Sequence, residues 1–193
     1  MRLCALALAA FLPGLAAPAG TARGQAFGNP SAPILIEVYS DFECPGCKQF
    51  HTQLLPLVMH DFVTAGKAYI ILHDLSFHPH SSEATTYALA AARIGKYKEV
   101  ADALFQYQLE WSANGKVWDA VTTALSPADR SKVAKLVHDP GVLAEVKSET
   151  EDGRTKIRVT PTVLVTHAMK QRHLEWPIDS DMFKKWLNEL LKQ

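Results

Sequence analysis

Two hydrophobic periodicities alternate along the chain, and their order sets an expected fold. Ile34 to Tyr39 is a mostly apolar run with Glu37 as its exception, and Ala68 to Leu75 is a second of the same kind. Runs like these suit strands buried on both faces of a sheet. Between them a helical pattern starts at Lys48, carries Leu54, Leu55, Val58 and Phe62 on one side, and ends near Gly66. Strand, helix and strand make a βαβ unit with a parallel pair. From His80 to about Asp139 the pattern is helical. Ser81 or Ser82 caps an alanine-rich helix that runs to Ile94, with Gly95 as its stop. Tyr97 to Trp111 sets Val100, Leu104, Tyr107 or Gln108, and Trp111 on one face, Asn114-Gly115 punctuates, and Val117 to Leu125 is a shorter helix. Ser126-Pro127 opens the next helix, and Asp139-Pro140 repeats that signal for one through Glu151. The sheet pattern returns after Val159. Thr162 to Thr166 is β-branched and apolar, Gln171 to Trp176 is its hairpin partner, and Asp179-Ser180 caps a last helix. That helix carries the stripe Met182, Phe183, Trp186, Leu187 and Leu190 and packs on the sheet.

A chain of 193 residues needs no more than one domain with an insertion. Its first 26 residues read as a secretory signal peptide: Arg2 is the positive start, Leu3 to Leu12 the apolar core, and Pro13, Pro18 and Gly20 break any helix before small residues appear. Cleavage is expected after Ala26, with Ala19 as the competing site. An uncleaved anchor is the alternative, but the stretch is short for the roughly 20 apolar residues that span a bilayer. The mature protein is then extracytoplasmic, and Cys4 leaves with the leader, so Cys44 and Cys47 are the remaining thiols. Basic and acidic residues balance at 20 each; without Arg2 and Arg23 the count is 18 against 20, a net charge of −2. No basic patch argues for nucleic acid.

The chemistry concentrates in Cys44-Pro45-Gly46-Cys47, at the junction of the first strand and the helix. Two cysteines with two residues between them at such a junction read as a redox pair. With Cys44 at the N-cap and Cys47 one turn in, the sulfurs can bridge and the free helix N–H groups face Cys44. A thiolate there is stabilised, which makes Cys44 the expected nucleophile and the deeper Cys47 the resolving thiol. Pro45 suits the first helical position, and Gly46 is expected to leave the approach to the sulfurs open. A zinc half-site or an inert stapling disulfide is the alternative. Zinc needs about four ligands and no second cysteine pair exists. His78-x-His80 with His73 nearby lacks further ligands at a telling spacing, so no metal is expected there.

Ser40-Asp41-Phe42-Glu43-Cys44-Pro45-Gly46-Cys47-Lys48, His78-Pro79-His80-Ser81, the helix from Gly95-Lys96 to Trp111, and Val159-Thr160-Pro161-Thr162 together resemble the DsbA-like thiol-disulfide oxidoreductases. The resemblance covers most of the mature chain. It implies an α/β thioredoxin-like fold with an inserted all-helical subdomain: 27–79 and 140–193 as the thioredoxin part, 80–139 as the insertion. It also implies that Pro161 is a cis-proline facing the cysteines, where Thr160 offers its backbone to an extended substrate peptide as an added strand. Pro45 and Gly46 complete the expected substrate surface. Three departures matter. The dipeptide is Pro-Gly rather than the Pro-His of strong oxidases, which implies milder oxidising power. The acid often found six residues before the first cysteine is replaced by Val38, which makes the neighbouring Glu37 a candidate displaced proton shuttle or else a strand residue reaching solvent. Lys156-Ile157-Arg158 lacks the usual glycine before the proline loop, and Arg158 is expected to be solvated, with contact to the substrate as the alternative.

The expected function is exchange of disulfides with reduced or disulfide-bonded secreted polypeptides, as a monomer, without a cofactor, recycled by a redox partner. Oxidase ranks before reductase. The contrasting expectation is a non-enzymatic peptide-binding module whose disulfide only stiffens the helix start.

Overall fold

The computed structural model describes residues 24–193, so Cys4, most of the expected leader and the competing cleavage site after Ala19 lie outside the described residues. A five-stranded mixed sheet in the order β1-β3-β2-β4-β5 forms the centre. Its strands are β1 (Gln25–Gly28), β2 (Ile34–Ser40), β3 (Ala68–Asp74), β4 (Thr162–His167) and β5 (Lys170–Glu175). β2 and β3 run parallel, from Ile34 opposite Ala68 to Ser40 opposite Asp74, as the βαβ pattern predicts. β4 lies antiparallel to β2 on its other side, and β5 returns as a hairpin. β1 was not foreseen. It pairs antiparallel with β3, Gln25 opposite Leu72 and Ala26 opposite Ile71. The cleavage point predicted after Ala26 therefore falls inside a strand.

The redox helix is a helical run over 45–63 rather than one uniform helix. It comprises α1 (Pro45–Gln49), a π turn (Phe50–Leu54), α2 (Leu55–Val58) and a second π turn (Met59–Val63). Pro56 accounts for the first widening. It has no N–H to give and would clash with the carbonyl four residues back. In the wide turn before it, the Leu55 N–H instead reaches the Phe50 carbonyl. Phe50, Leu54, Leu55, Val58 and Phe62 stay buried along this run.

Between β3 and β4 lie α3 (Ser81–Ala92), α4 (Tyr97–Gln106), α5 (Gln108–Asn114), α6 (Val117–Ala124), α7 (Pro127–Leu136) and α8 (Pro140–Lys156). α3 ends where Gly95, at φ +70°, lets the Lys96 N–H turn back to the Ala91 carbonyl at 2.9 Å. Ser126, Asp139 and Asp179 cap α7, α8 and α9 (Ser180–Leu190) through their side chains, as expected. Neither Ser81 nor Ser82 caps α3: the cap is His80, and the Ser81 hydroxyl is drawn away to Asp41. The predicted helix from Tyr97 to Trp111 breaks at Tyr107, and α8 runs on past Glu151.

Strand alternation divides the core. Ile36, Val38, Ile70, Leu72 and Val163 pack with both cysteines, the redox helix, the helical segment, and Phe183 and Leu187 of α9. Tyr39, Leu75, Ile157 and Leu164 form a separate cluster. Met182, placed in the α9 stripe by its spacing, is 72% exposed.

Candidate active site

Cys44 occupies the N-cap of α1 in extended conformation, with exposed Pro45 at the first helical position. Cys47, one turn on, is fully buried. Both are free thiols. The Cys44 thiol is pulled down to about 5, first by a hydrogen bond from the Cys47 thiol. Burial opposes this, and the Thr160 side chain and the N–H groups of Cys47 and Gly46 add to it. These N–H groups are the unpaired donors of the helix start. Cys47 moves the opposite way: burial first, then the charge forming on Cys44, push its thiol well above the ordinary value. One sulfur is thus held as a thiolate near the surface and the other as a buried thiol.

The loop that leads into β4 closes over the pair. Thr160–Pro161 is a cis peptide, and the Cys44 Sγ lies 3.3 Å from the Thr160 carbonyl. Pro161 is buried and Thr160 half-buried, while Val159 is 46% exposed and Arg158 is exposed, so the edge of this loop meets solvent beside the sulfur. Gly46 is not open as expected. A Cβ there would stand 3.2 Å from Pro161 Cδ and 3.3 Å from Trp176 Cδ1, so the glycine serves a close approach of the two loops. Trp176 caps this corner; its Nε1 donates to Gln49 Oε1 at 3.1 Å, its ring meets Phe50 edge-on, and its backbone N–H donates to the Pro161 carbonyl.

The helical segment supplies a brace from a position that helical spacing put on the inner face but whose role it did not disclose. Buried Gln108, at the start of α5, donates from Nε2 to the carbonyls of Phe42 (2.7 Å) and Cys44 (2.9 Å). The break at Tyr107 aims it there. Asp41, whose role was also missed, is buried and anchors the loop before Cys44: its N–H lies 3.3 Å from Cys47 Sγ, and its carbonyl accepts from the Cys44 N–H at 3.1 Å. Both belong to stretches whose polar residues would otherwise be surface residues, and a buried polar side chain is visible only once packing is known.

Glu37 does not reach the cysteines. Alternation turns it away from Val38, toward His73 at 3.4 Å and Tyr39 at 3.4 Å. The His73 hydrogen bond, against burial, holds its carboxyl below the usual range, so it stays ionised rather than carrying a proton to Cys47. His73 is itself buried between Glu37 and Glu149. Burial disfavours its charge, but the two carboxylates win and hold it up to about 9. Asp74 is the acid whose strand position shares Leu72's face; burial and then the Glu149 charge push its carboxyl well up. The three histidines weighed as ligands diverge: His73 lies with these carboxylates, His78 on Asp41, and His80 beside Gly115. Among the described residues no group of three or more His, Cys, Asp or Glu is placed to hold a metal.

A redox-competent cysteine pair at a helix start, faced by a cis-proline loop on a mixed sheet, defines a thiol-disulfide oxidoreductase. Residues 21–189 match the family described as Thioredoxin, and the chain belongs to it. Its arrangement is DsbA-like. The chain is 23% identical to Disulfide bond formation protein D of Bacillus subtilis (strain 168), over 88% of this chain and 78% of that protein. It superimposes on Wolbachia pipientis alpha-DsbA1 with a TM-score of 0.70 at 16% identity, covering 86% of this chain and 89% of that one. For Chlamydia trachomatis DsbA the TM-score is 0.70 at 19% identity, with 94% and 98% covered. The fold is therefore the α/β thioredoxin fold with a helical insertion. Among the described residues no helix is long and apolar enough to cross a membrane.

Proposed function

We propose that this protein is a dithiol oxidase of extracytoplasmic polypeptides. The observation that carries the reading is the opposed state of the two sulfurs, a Cys44 thiol near 5 above a fully buried Cys47. In the disulfide form a substrate thiolate attacks Cys44 Sγ, forms a mixed disulfide and releases Cys47, which takes a proton because its thiol is weakly acidic. The substrate's second thiolate then attacks its own sulfur in the mixed disulfide, and Cys44 leaves as a stabilised thiolate. Two electrons pass from substrate to enzyme, and a redox partner must remove them. The Thr160 backbone pairs the substrate as an extended strand beside Cys44, with Pro161 fixing the loop, exposed Pro45 forming the opposite rim and Gly46 closing the corner against Pro161 and Trp176.

The protein works as a monomer, with residues 80–139 as the inserted subdomain. Processing occurs after Ala19, because this keeps β1 whole where a cut after Ala26 would remove half of it. Mass spectrometry of the secreted protein checks the terminus. Cys47→Ala tests the roles: it should accumulate mixed disulfides through Cys44 on non-reducing gels, and Cys44→Ser should trap nothing. Adducts with Cys44→Ser alone would reverse the assignment. A reduction potential clearly above about −270 mV, the thioredoxin value, supports oxidation; one at or below it makes the protein a reductase or leaves the disulfide a staple.

A further inference from the structure

Asp41 presents an electrostatic problem at the site. Its carboxylate is fully buried, and its own main chain touches both cysteines through the 3.3 Å contact to Cys47 Sγ and the 3.1 Å bond from Cys44 N–H. A negative charge there opposes a thiolate on Cys44. Four donors satisfy it: the Glu43 N–H at 2.8 Å and Ser81 hydroxyl at 2.5 Å on Oδ1, the Phe77 N–H at 2.7 Å and His78 Nδ1 at 2.9 Å on Oδ2. Three of these are permanently neutral. Of the four, His78 alone can bring a compensating charge, and its side chain is 40% exposed, so it exchanges protons freely with solvent. On the opposite rim Gly46 lies under Pro161 and Trp176, three residues that carry no charge.

We propose that His78 is the switchable countercharge of this loop: protonated, it cancels Asp41 and sustains the Cys44 thiolate, and neutral, it leaves the buried carboxylate to oppose that thiolate. The surroundings agree. Burial works against the imidazolium, but Asp41, Cys44 and Glu43 from the loop after β2 together raise its pKa above the ordinary histidine value. His80, on the same loop, gives its backbone N–H to Glu43 at 2.7 Å, and Arg154 of α8 lies 5.1 Å over the Phe77 ring. Because the pKa is raised, His78 keeps its charge through its unfolded value and loses it only as pH climbs through the folded one. Oxidising power should therefore decline on the alkaline side of that titration. Coupling is reciprocal: what His78 gives to the thiolate, the thiolate gives to His78.

His78→Asn keeps a side-chain donor for Asp41 but removes the charge. In the folded, reduced variant, ultraviolet thiolate absorbance should show the Cys44 titration raised by about one unit. The equilibrium constant with glutathione at pH 7 should fall about tenfold, about 30 mV for two electrons. An unmoved Cys44 titration in the folded variant overturns the proposal. Should the variant fail to fold, nuclear magnetic resonance of the His78 ring decides the matter in the reduced parent and in Cys44→Ser. Loss of the thiolate should lower the His78 pKa, and identical values overturn the proposal. Neither titration depends on whether the protein oxidises or reduces its substrates.

Discussion

The depressed Cys44 thiol makes the stability of the reduced protein depend on pH in a way the disulfide form cannot share. Its pKa falls from 9.0 to about 5 on folding. At about 1.36 kcal/mol per unit the gap is worth about 5 kcal/mol at most. Cys44 keeps 9% of its surface in solvent beside the exposed Pro45 and Val159, and screening there reduces the figure to about half. A depressed pKa contributes stability that is complete above the unfolded value and is lost as pH falls through the folded one, so the window runs from about 9 down to about 5. The disulfide form has no thiol to titrate, and its loop-closure term shifts only the offset. His73, raised to about 9, contributes stability that is full below the ordinary histidine value and lost as pH rises, but it does so in both redox forms and cancels in their difference. Urea denaturation of reduced and oxidised protein at pH 5, 6, 7 and 8 should therefore show the reduced form gaining about 2 kcal/mol on the oxidised one across that range. A difference that stays flat to within about 0.5 kcal/mol would refute the thiolate argument and, with it, the basis for oxidation.

Gln108→Leu leaves the buried Phe42 carbonyl without its side-chain donor, whereas the Cys44 carbonyl still receives the Lys48 N–H. Urea denaturation should show a loss of about 1–3 kcal/mol; no measurable loss would mean that water or a shifted helix replaces the amide. Gly46→His must push Pro161 and Trp176 apart, so it should cost about 1–3 kcal/mol by the same assay even if the imidazole favours the thiolate. An unchanged stability would show that this corner yields freely. Glu37→Gln should leave exchange kinetics with a small disulfide unchanged and lower the His73 pKa from about 9, followed by ring-proton resonances. Slower exchange would return Glu37 to the role of proton carrier.

The long apolar runs of β2 and β3 and the side-chain caps of α7, α8 and α9 were legible because each rests on local chemistry that packing does not alter. The redox pair was legible for the same reason: a strand end, two cysteines and a proline at the helix start define their own geometry. β1 was hidden. Its four residues carry little periodicity, follow an N-terminal stretch rich in apolar residues, and become a strand only by pairing with β3. Ser81 showed the reverse case, a good capping residue recruited by a distant buried carboxylate. Strand alternation had already placed Glu37 opposite Val38, but only His73 and Tyr39 in three dimensions showed what it meets. Gln108, Asp41, His78 and Trp176 came from four separate segments, and no spacing rule joins them.

Trp176 has a consequence for how the molecule can be observed. Its indole stands against Gly46, within the turn that joins the two sulfurs, and is tethered to Gln49 through Nε1. Thiolates and disulfides quench indole emission to different extents, and a polypeptide docked at Thr160 as proposed would disturb the same corner. Trp176, one of four tryptophans, is thus a fluorophore beside the cysteine turn, and a change in its emission between the redox forms would report turnover without a dye, a label or a coloured substrate.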